Sequence, residues 1–219
     1  AKLLSDAFHV PLVEVSHQQG HIAAALWSAG KLEMMDAPFL SWHLSGGTTE
    51  LLLVEPEGKN VCCTKIGGTT DISAGQLVDR IGVSLGMGFP AGKAMDALSM
   101  ESEQEKHFTV KTSEGKFSLS GMENKMEQLV QKGEDPADVA RFTLNVVCDT
   151  VAKVTERAME RHPGLPVLCS GGVASNAQLR EVLTRRCSAL FAQPQYSTDN
   201  AMGTAILTWR ALERQEGRL

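Results

Sequence analysis

The sequence predicts an α/β fold, and three observations predict it. Short apolar runs alternate with segments of helical spacing along most of the chain. Two of those runs end in the same glycine turn, Leu44-Ser45-Gly46-Gly47 and Cys169-Ser170-Gly171-Gly172. The 219 residues are 42% hydrophobic and 21% charged, which is enough apolar side chain for a sizeable core. The same composition excludes a disordered tail, a collagen-like fibre and a small disulfide-stapled scaffold.

Residues 1–8 read as the tail of a helix, and Val10–Val15 as a short strand. His17–Ala29 is helical, with Gly30 as its stop signal. Phe39–Leu44 and Glu50–Glu55 are strands flanking the Ser45–Thr49 turn, and Val61–Ile66 is a third strand after a turn at Gly58. Helices follow at Ala74–Leu85 and, behind Pro90, at Gly92–Met100. Residues 101–116 are polar and loop-like, with a strand expected at His107–Lys111. Gly121–Gln131 and Pro136–Arg161 are helices; in the second, Val139, Phe142, Val146, Val147 and Val154 recur at helical spacing. Pro166–Cys169 is a buried strand whose glycine turn opens into a helix at Asn176–Ala189. A strand at Leu190–Gln193 and a helix from Asn200 to about Arg214, capped by Thr198 or Asp199, complete the reading.

The formal net charge is −5, so any contact with nucleic acid requires a local basic patch. The charge is uneven: residues 1–152 carry 12 basic and 20 acidic side chains, and residues 153–219 carry 9 and 6. Arg180, Arg185 and Arg186 cluster on one helix and read as a solvated face. No window holds the ~20 uninterrupted apolar residues of a membrane span, and no signal-peptide core is present at the start. Five cysteines, an odd number with no C-x-x-C pair, point to free thiols in a reducing, cytoplasmic setting.

Several residues could carry chemistry. His17 and His21 are four apart, so on a helix both rings stand on one face, one turn apart. Such a pair can grip one divalent ion with a third ligand from elsewhere, or can be two satisfied histidines. The spacing is that of H-E-x-x-H, but Gln18 stands where the general-base glutamate would be, which disfavours zinc-protease chemistry. His43 and Ser45 project from one face of their strand, toward whatever occupies the turn. Ser45, Gly46, Gly47 and Thr48 can converge N–H and hydroxyl donors on a phosphate, or form a plain hairpin turn. Gly171 and Gly172 precede a helix, whose N-terminus favours an anion. Asp79 suits a ribose hydroxyl or a surface ion pair. Gly92 and Asp96 follow the turn at Phe89-Pro90. Asp199 is a helix cap that could also meet a metal.

In order, H-x-x-x-H, SGG-T, AG-x-x-x-D, P-x-G, SGGVA-x-N and TDNA resemble the TsaD family, the tRNA threonylcarbamoyladenosine synthases once labelled O-sialoglycoprotein endopeptidases. The resemblance runs from about residue 1 to 210 and looks like a divergent bacterial paralogue branch. It implies an actin-like ATPase fold (the sugar kinase, Hsp70 and actin type) with two lobes around a nucleotide cleft. The first lobe, incomplete because the family's opening strands have no counterpart, is expected at 1–90 and the second at 91–219. It implies one divalent metal, iron or zinc, held by His17, His21 and Asp199 with His43 beside them. It implies an ATP- or AMP-type adenine nucleotide on Ser45, Gly46, Gly47, Thr48, Asp79, Gly92, Asp96, Gly171, Gly172 and Asn176. The activity implied is transfer of a threonylcarbamoyl group from its adenylate to adenosine in tRNA, with no side-chain nucleophile. The partners implied are the nucleotide, tRNA and a homologous protein or second copy.

The chain departs from the family pattern at three places. SGGTT replaces SGGHT or SGGNT, FPAGK replaces YPGGP, and Phe117–Asn124 lacks the basic residue of FSFSGLKT. The last change motivates an alternative, a nucleotide-binding paralogue that acts as a partner or regulator. A metallopeptidase is the third reading, disfavoured by Gln18.

Overall fold

The computed structural model describes residues 1–196 and 201–216. Its centre is a strand that is covered on both faces. Phe39, Leu40, Trp42 and Leu44 of β1 (Phe39–Leu44) are all fully buried, as expected of a strand covered on two sides. β2 (Thr49–Glu57) and β3 (Asn60–Thr69) continue from it as an antiparallel meander. On the other flank β6 (Val167–Ser170) and β7 (Leu190–Phe191) run parallel to β1. A small hairpin of β4 (Thr112–Ser113) and β5 (Lys116–Phe117) adds to β3, giving the order β4-β5-β3-β2-β1-β6-β7.

Helices cover both faces. On one lie α3 (Ala74–Ser84), α4 (Gly92–Ser99), α5 (Ser120–Gln131), α6 (Pro136–Arg161) and α7 (Ala177–Cys187), sharing a core with Leu40, Trp42 and Leu44. On the other lie α2 (His17–Ser28) and α8 (Met202–Glu216), packed over Phe39, Leu52, Val54 and Val61. The 26-residue α6 starts at Asp135, whose side chain accepts from Ala137 N–H, with Pro136 in the first turn. It is fastened to the sheet by Trp42, whose Nε1–H donates to Thr155 Oγ1 at 2.8 Å.

Most expected elements stand within a residue or two of their places. Val10–Val15 does not form a strand: Val10 and Leu12 are exposed, and no neighbouring strand among the described residues pairs with it. It follows the short helix α1 (Lys2–Phe8), which buries no residue. His107–Lys111 also stays irregular, and pairing starts one residue later, in the Thr112–Phe117 hairpin around Gly115. The strands on the two sides of residue 90 are joined in the structure. β1 to β3 precede it and β4 to β7 follow it, yet all seven belong to one sheet, because β1 takes β6 as its parallel neighbour. The expected caps of the last helix, Thr198 and Asp199, lie outside the described residues.

Candidate functional site

The site grows from the way α2 is anchored. Ser16 and Gln19 form a reciprocal cap: Ser16 Oγ accepts from Gln19 N–H, and Gln19 Oε1 accepts from Ser16 N–H. Gln19 Nε2 also donates to Val61 O of β3 at 2.8 Å, so one amide fixes both the start of the helix and its seat on the sheet. This holds His17 and His21 over the end of β1. Their rings meet edge to face at 4.4 Å, with the two Nε2 atoms 2.9 Å apart. His43 of β1 completes the group, its ring 4.8 Å from that of His21.

The three imidazoles line a cavity of about 350 Å3, with Ser45 and Thr48 of the first glycine turn on its wall. Strand alternation explains the choice: Ser41, His43 and Ser45 face the cavity, while Leu40, Trp42 and Leu44 face the opposite core. Two imidazole nitrogens at 2.9 Å are spaced to share one proton or one cation. Among the described residues, no three His, Cys, Asp or Glu side chains complete a metal site by themselves. Asp199, the remaining expected ligand, lies outside the described residues. At the start of α8, a Cβ on Gly203 would fall 1.7 Å from Gly20 O. Gly20 lies between the two histidines, so α8 begins in contact with the turn of α2 that carries them.

The glycine turn is a hairpin in the plain sense. Ser45 N–H donates to Thr48 O at 2.8 Å, and Thr48 N–H donates to Ser45 Oγ at 3.0 Å. The N–H groups of Gly46 and Gly47 donate to nothing among the described residues, and both glycines are exposed. The start of α3 is pressed against this turn: Ser73 Oγ donates to Gly46 O at 2.6 Å, and a Cβ on Gly75 would lie 2.5 Å from Gly46 Cα. Gly46 and Asp79 consequently line a second cavity, of about 560 Å3, with exposed Phe89 on its rim. Asp79 Oδ1 accepts from Ala91 N–H at 2.8 Å, which fixes the turn that precedes Gly92.

The other expected nucleotide residues do not line that cavity. Asp96 accepts from Asn176 Nδ2 at 2.8 Å and from Ala177 N–H at 3.3 Å, while Asn176 Oδ1 caps α7 by accepting from Leu179 N–H. These side chains bind α4 to α7. Ser170 pairs in register with His43 and lines the histidine cavity, so the two glycine turns leave neighbouring parallel strands at the same end. Ligands of open α/β sheets gather at such strand ends.

Sequence reasoning missed Glu50, which also lines the histidine cavity. It stands directly opposite His43 across the β1–β2 hairpin and binds Lys65 Nζ at 2.6 Å. The signal was available, since a hairpin closed at Leu44 and Thr49 places residues 43 and 50 opposite each other.

A family model described as TsaD, tRNA N6-adenosine threonylcarbamoyltransferase, matches residues 1–206. The chain belongs to the TsaD family. A relative of that name from Lactococcus lactis subsp. cremoris is 34% identical over 197 residues, covering 84% of this chain and 55% of the relative. One from Thermus thermophilus is 34% identical over 218 residues, covering 98% and 65%. This TsaD-family chain thus spans between about half and two thirds of the length of these relatives. Among solved structures it is similar to full-length HypF in a phosphate- and nucleotide-bound form, with a TM-score of 0.71 at 13% identity over 96% of this chain and 45% of that one. It is also similar to an activator of 2-hydroxyisocaproyl-CoA dehydratase from Clostridium difficile with bound ADPNP, with a TM-score of 0.57 at 12% identity over 92% and 69%. The fold is α/β of the actin-like ATPase type.

Proposed function

We propose that this chain carries the metal- and nucleotide-holding part of a transferase that moves a threonylcarbamoyl group from its adenylate to adenosine in tRNA. The observation that carries the reading is the meeting of His17, His21 and His43 beside a glycine turn that also opens onto the Asp79 cavity. The histidines fit a metal by their chemistry, since neutral imidazoles suit iron and zinc. His17 and His21, with Asp199 as the third ligand, would hold the ion, which would act as a Lewis acid toward a carbamoyl oxygen and fix its position.

The chain's own residues orient the donor. Gly46 and Gly47 offer N–H groups to a phosphate. The second oxygen of Asp79 accepts from a ribose hydroxyl, and Phe89 offers an apolar face to the base. The adenylate bridges the two cavities, so its carbonyl comes under the histidines and its AMP portion stays over α3. Catalysis by this arrangement is positioning together with polarisation, without a protein nucleophile. The peptidase reading finds no support: Gln18 cannot take a proton from a metal-bound water, and Glu50 is engaged by Lys65.

Two measurements test the reading. Chain purified without chelators is expected to hold about one iron or zinc, and His21→Ala to lose it. Asp79→Ala is expected to weaken ADP binding at least about tenfold by calorimetry, as loss of a charged hydrogen-bond acceptor does. Full metal content in His21→Ala, or unchanged ADP affinity in Asp79→Ala, would exclude the assignment. ADP binding without transfer to unmodified tRNA, in a reaction completed by the family's partner proteins, would favour the regulatory alternative.

A further inference from the structure

A band of positive charge runs along α6, away from the histidines. Lys153, Arg157 and Arg161 recur every fourth residue, so they stand on one side of the helix over about 12 Å. The β4–β5 hairpin lies against the same stretch. Arg157 fastens it by donating to Thr112 O at 3.2 Å and to Thr112 Oγ1. The hairpin region brings Lys116 and Lys111 alongside. Lys111, Lys116 and Lys153 line one open cavity of about 610 Å3, and Arg157 and Arg161 line the next, across Gly115.

Five cations therefore collect on one surface of a chain whose net charge is −5. Among the described residues, none of the five pairs with a carboxylate. The arginines of α7 behave differently: Arg186 holds Glu156 at 2.8 Å, and Arg185 reaches Glu181 at 4.0 Å. The nearby carboxylate of Asp71 is engaged by the Ser118 and Ser120 hydroxyls and by Leu119 and Ser120 N–H, at the start of α5. The floor of the larger cavity, Val110 and Phe117, is buried, and the hydroxyls of Thr109 and Ser113 add donors around it.

We propose that this band docks the phosphodiester backbone of the RNA on which the chain acts. The inference rests on the reading of the histidine and Asp79 cavities as a site for RNA modification. The helix sets its cations about 6 Å apart, a fixed spacing that suits a polymer with one charge per repeating unit. Among the described residues, no large exposed hydrophobic side chain stands beside them. An amphipathic peptide would find no anchor there, whereas contact with a phosphate backbone needs none.

The test uses the 219-residue chain and a fluorescein-labelled, unmodified anticodon stem–loop RNA, followed by anisotropy across a salt series. The variant Lys111→Glu/Lys153→Glu/Arg161→Glu spares Arg157, which holds the hairpin. It is expected to bind at least tenfold more weakly. Its plot of log affinity against log salt should be shallower by about 2, from three contacts at about 0.7 each. If charge reversal unfolds the chain, the corresponding glutamine variant is expected to show the same loss of slope. Unchanged affinity and slope, no RNA binding by the parent chain, or competition by polyglutamate as strong as that by RNA would each overturn the proposal. ADP titration of the same samples separates the two ideas. RNA binding lost with ADP binding intact supports the band. A chain that binds RNA through the band but takes neither ADP nor metal leaves the band standing and removes the transferase reading.

Discussion

Asp71 shows how one exposed side chain organises a helix start. Its carboxylate receives the hydroxyls of Ser118 and Ser120 and the N–H groups of Leu119 and Ser120, so it caps α5 from another part of the chain. Partial burial pushes its pKa up, but these four donors outweigh that and hold it well below the usual carboxylate range. A depressed carboxylate pKa contributes stability that is present above the unfolded value, near 3.9, and is lost as pH falls through the folded value. Asp71→Ala is therefore expected to lower stability at pH 7 by about 1 kcal/mol, as loss of a helix cap does. In urea titrations the gap between parent and variant should narrow as pH is taken below about 4. An equal gap at pH 7 and pH 2 would contradict this account. Cys63 is a second perturbed residue: burial, with Cys62 and Glu57 nearby, pushes its thiol up to about 11. At neutral pH its sulfur therefore stays protonated and unreactive, whereas Cys62 is exposed to solvent.

The crossing of α2 and α8 depends on Gly203, where an added Cβ would meet the carbonyl of Gly20 at 1.7 Å. A Cβ on Gly20 itself would meet only Thr204, at 3.6 Å and beyond. The two glycines therefore give opposite expectations. Gly203→Ala forces the helices apart and should cost about 1–3 kcal/mol while lowering bound metal. Gly20→Ala should leave metal content unchanged and be neutral or gain up to about 1 kcal/mol from helix propensity. Thermal melts and metal analysis of both variants decide the matter. Legibility in the sequence followed the same line between local and distant causes. The His17–His21 pair and the outward face of His43 were legible because helical and strand periods are local. Glu50 was missed because its place depends on hairpin register, and the Asp96–Asn176 bond because it joins α4 to α7 across 80 residues. Val10–Val15 misled because an apolar run makes a strand only where a neighbour offers a ladder.

At the scale of the whole molecule, one sheet joins everything on both sides of residue 90. Two independently folding lobes would melt separately; a shared sheet predicts one cooperative transition. Trp42 is wholly buried, while Trp27 and Trp209 are exposed, so aromatic circular dichroism reports the central core. Its urea transition is expected to superimpose on the far-ultraviolet transition that follows the helices. Trp42→Phe, which removes the bond to Thr155, should shift both together by about 1 kcal/mol. Separate midpoints would argue for two units. The β1–β6 pairing also dictates an order of events during synthesis. Ser170 Oγ donates to Trp42 O, a partner 128 residues earlier. The β1–β3 meander can form as soon as it emerges, but its β1 edge must wait for β6, whose Ser170 lies 128 residues beyond Trp42. An exposed apolar edge held open that long invites capture by chaperones, and loop closure across so many residues makes the last stitch of the sheet the slow one.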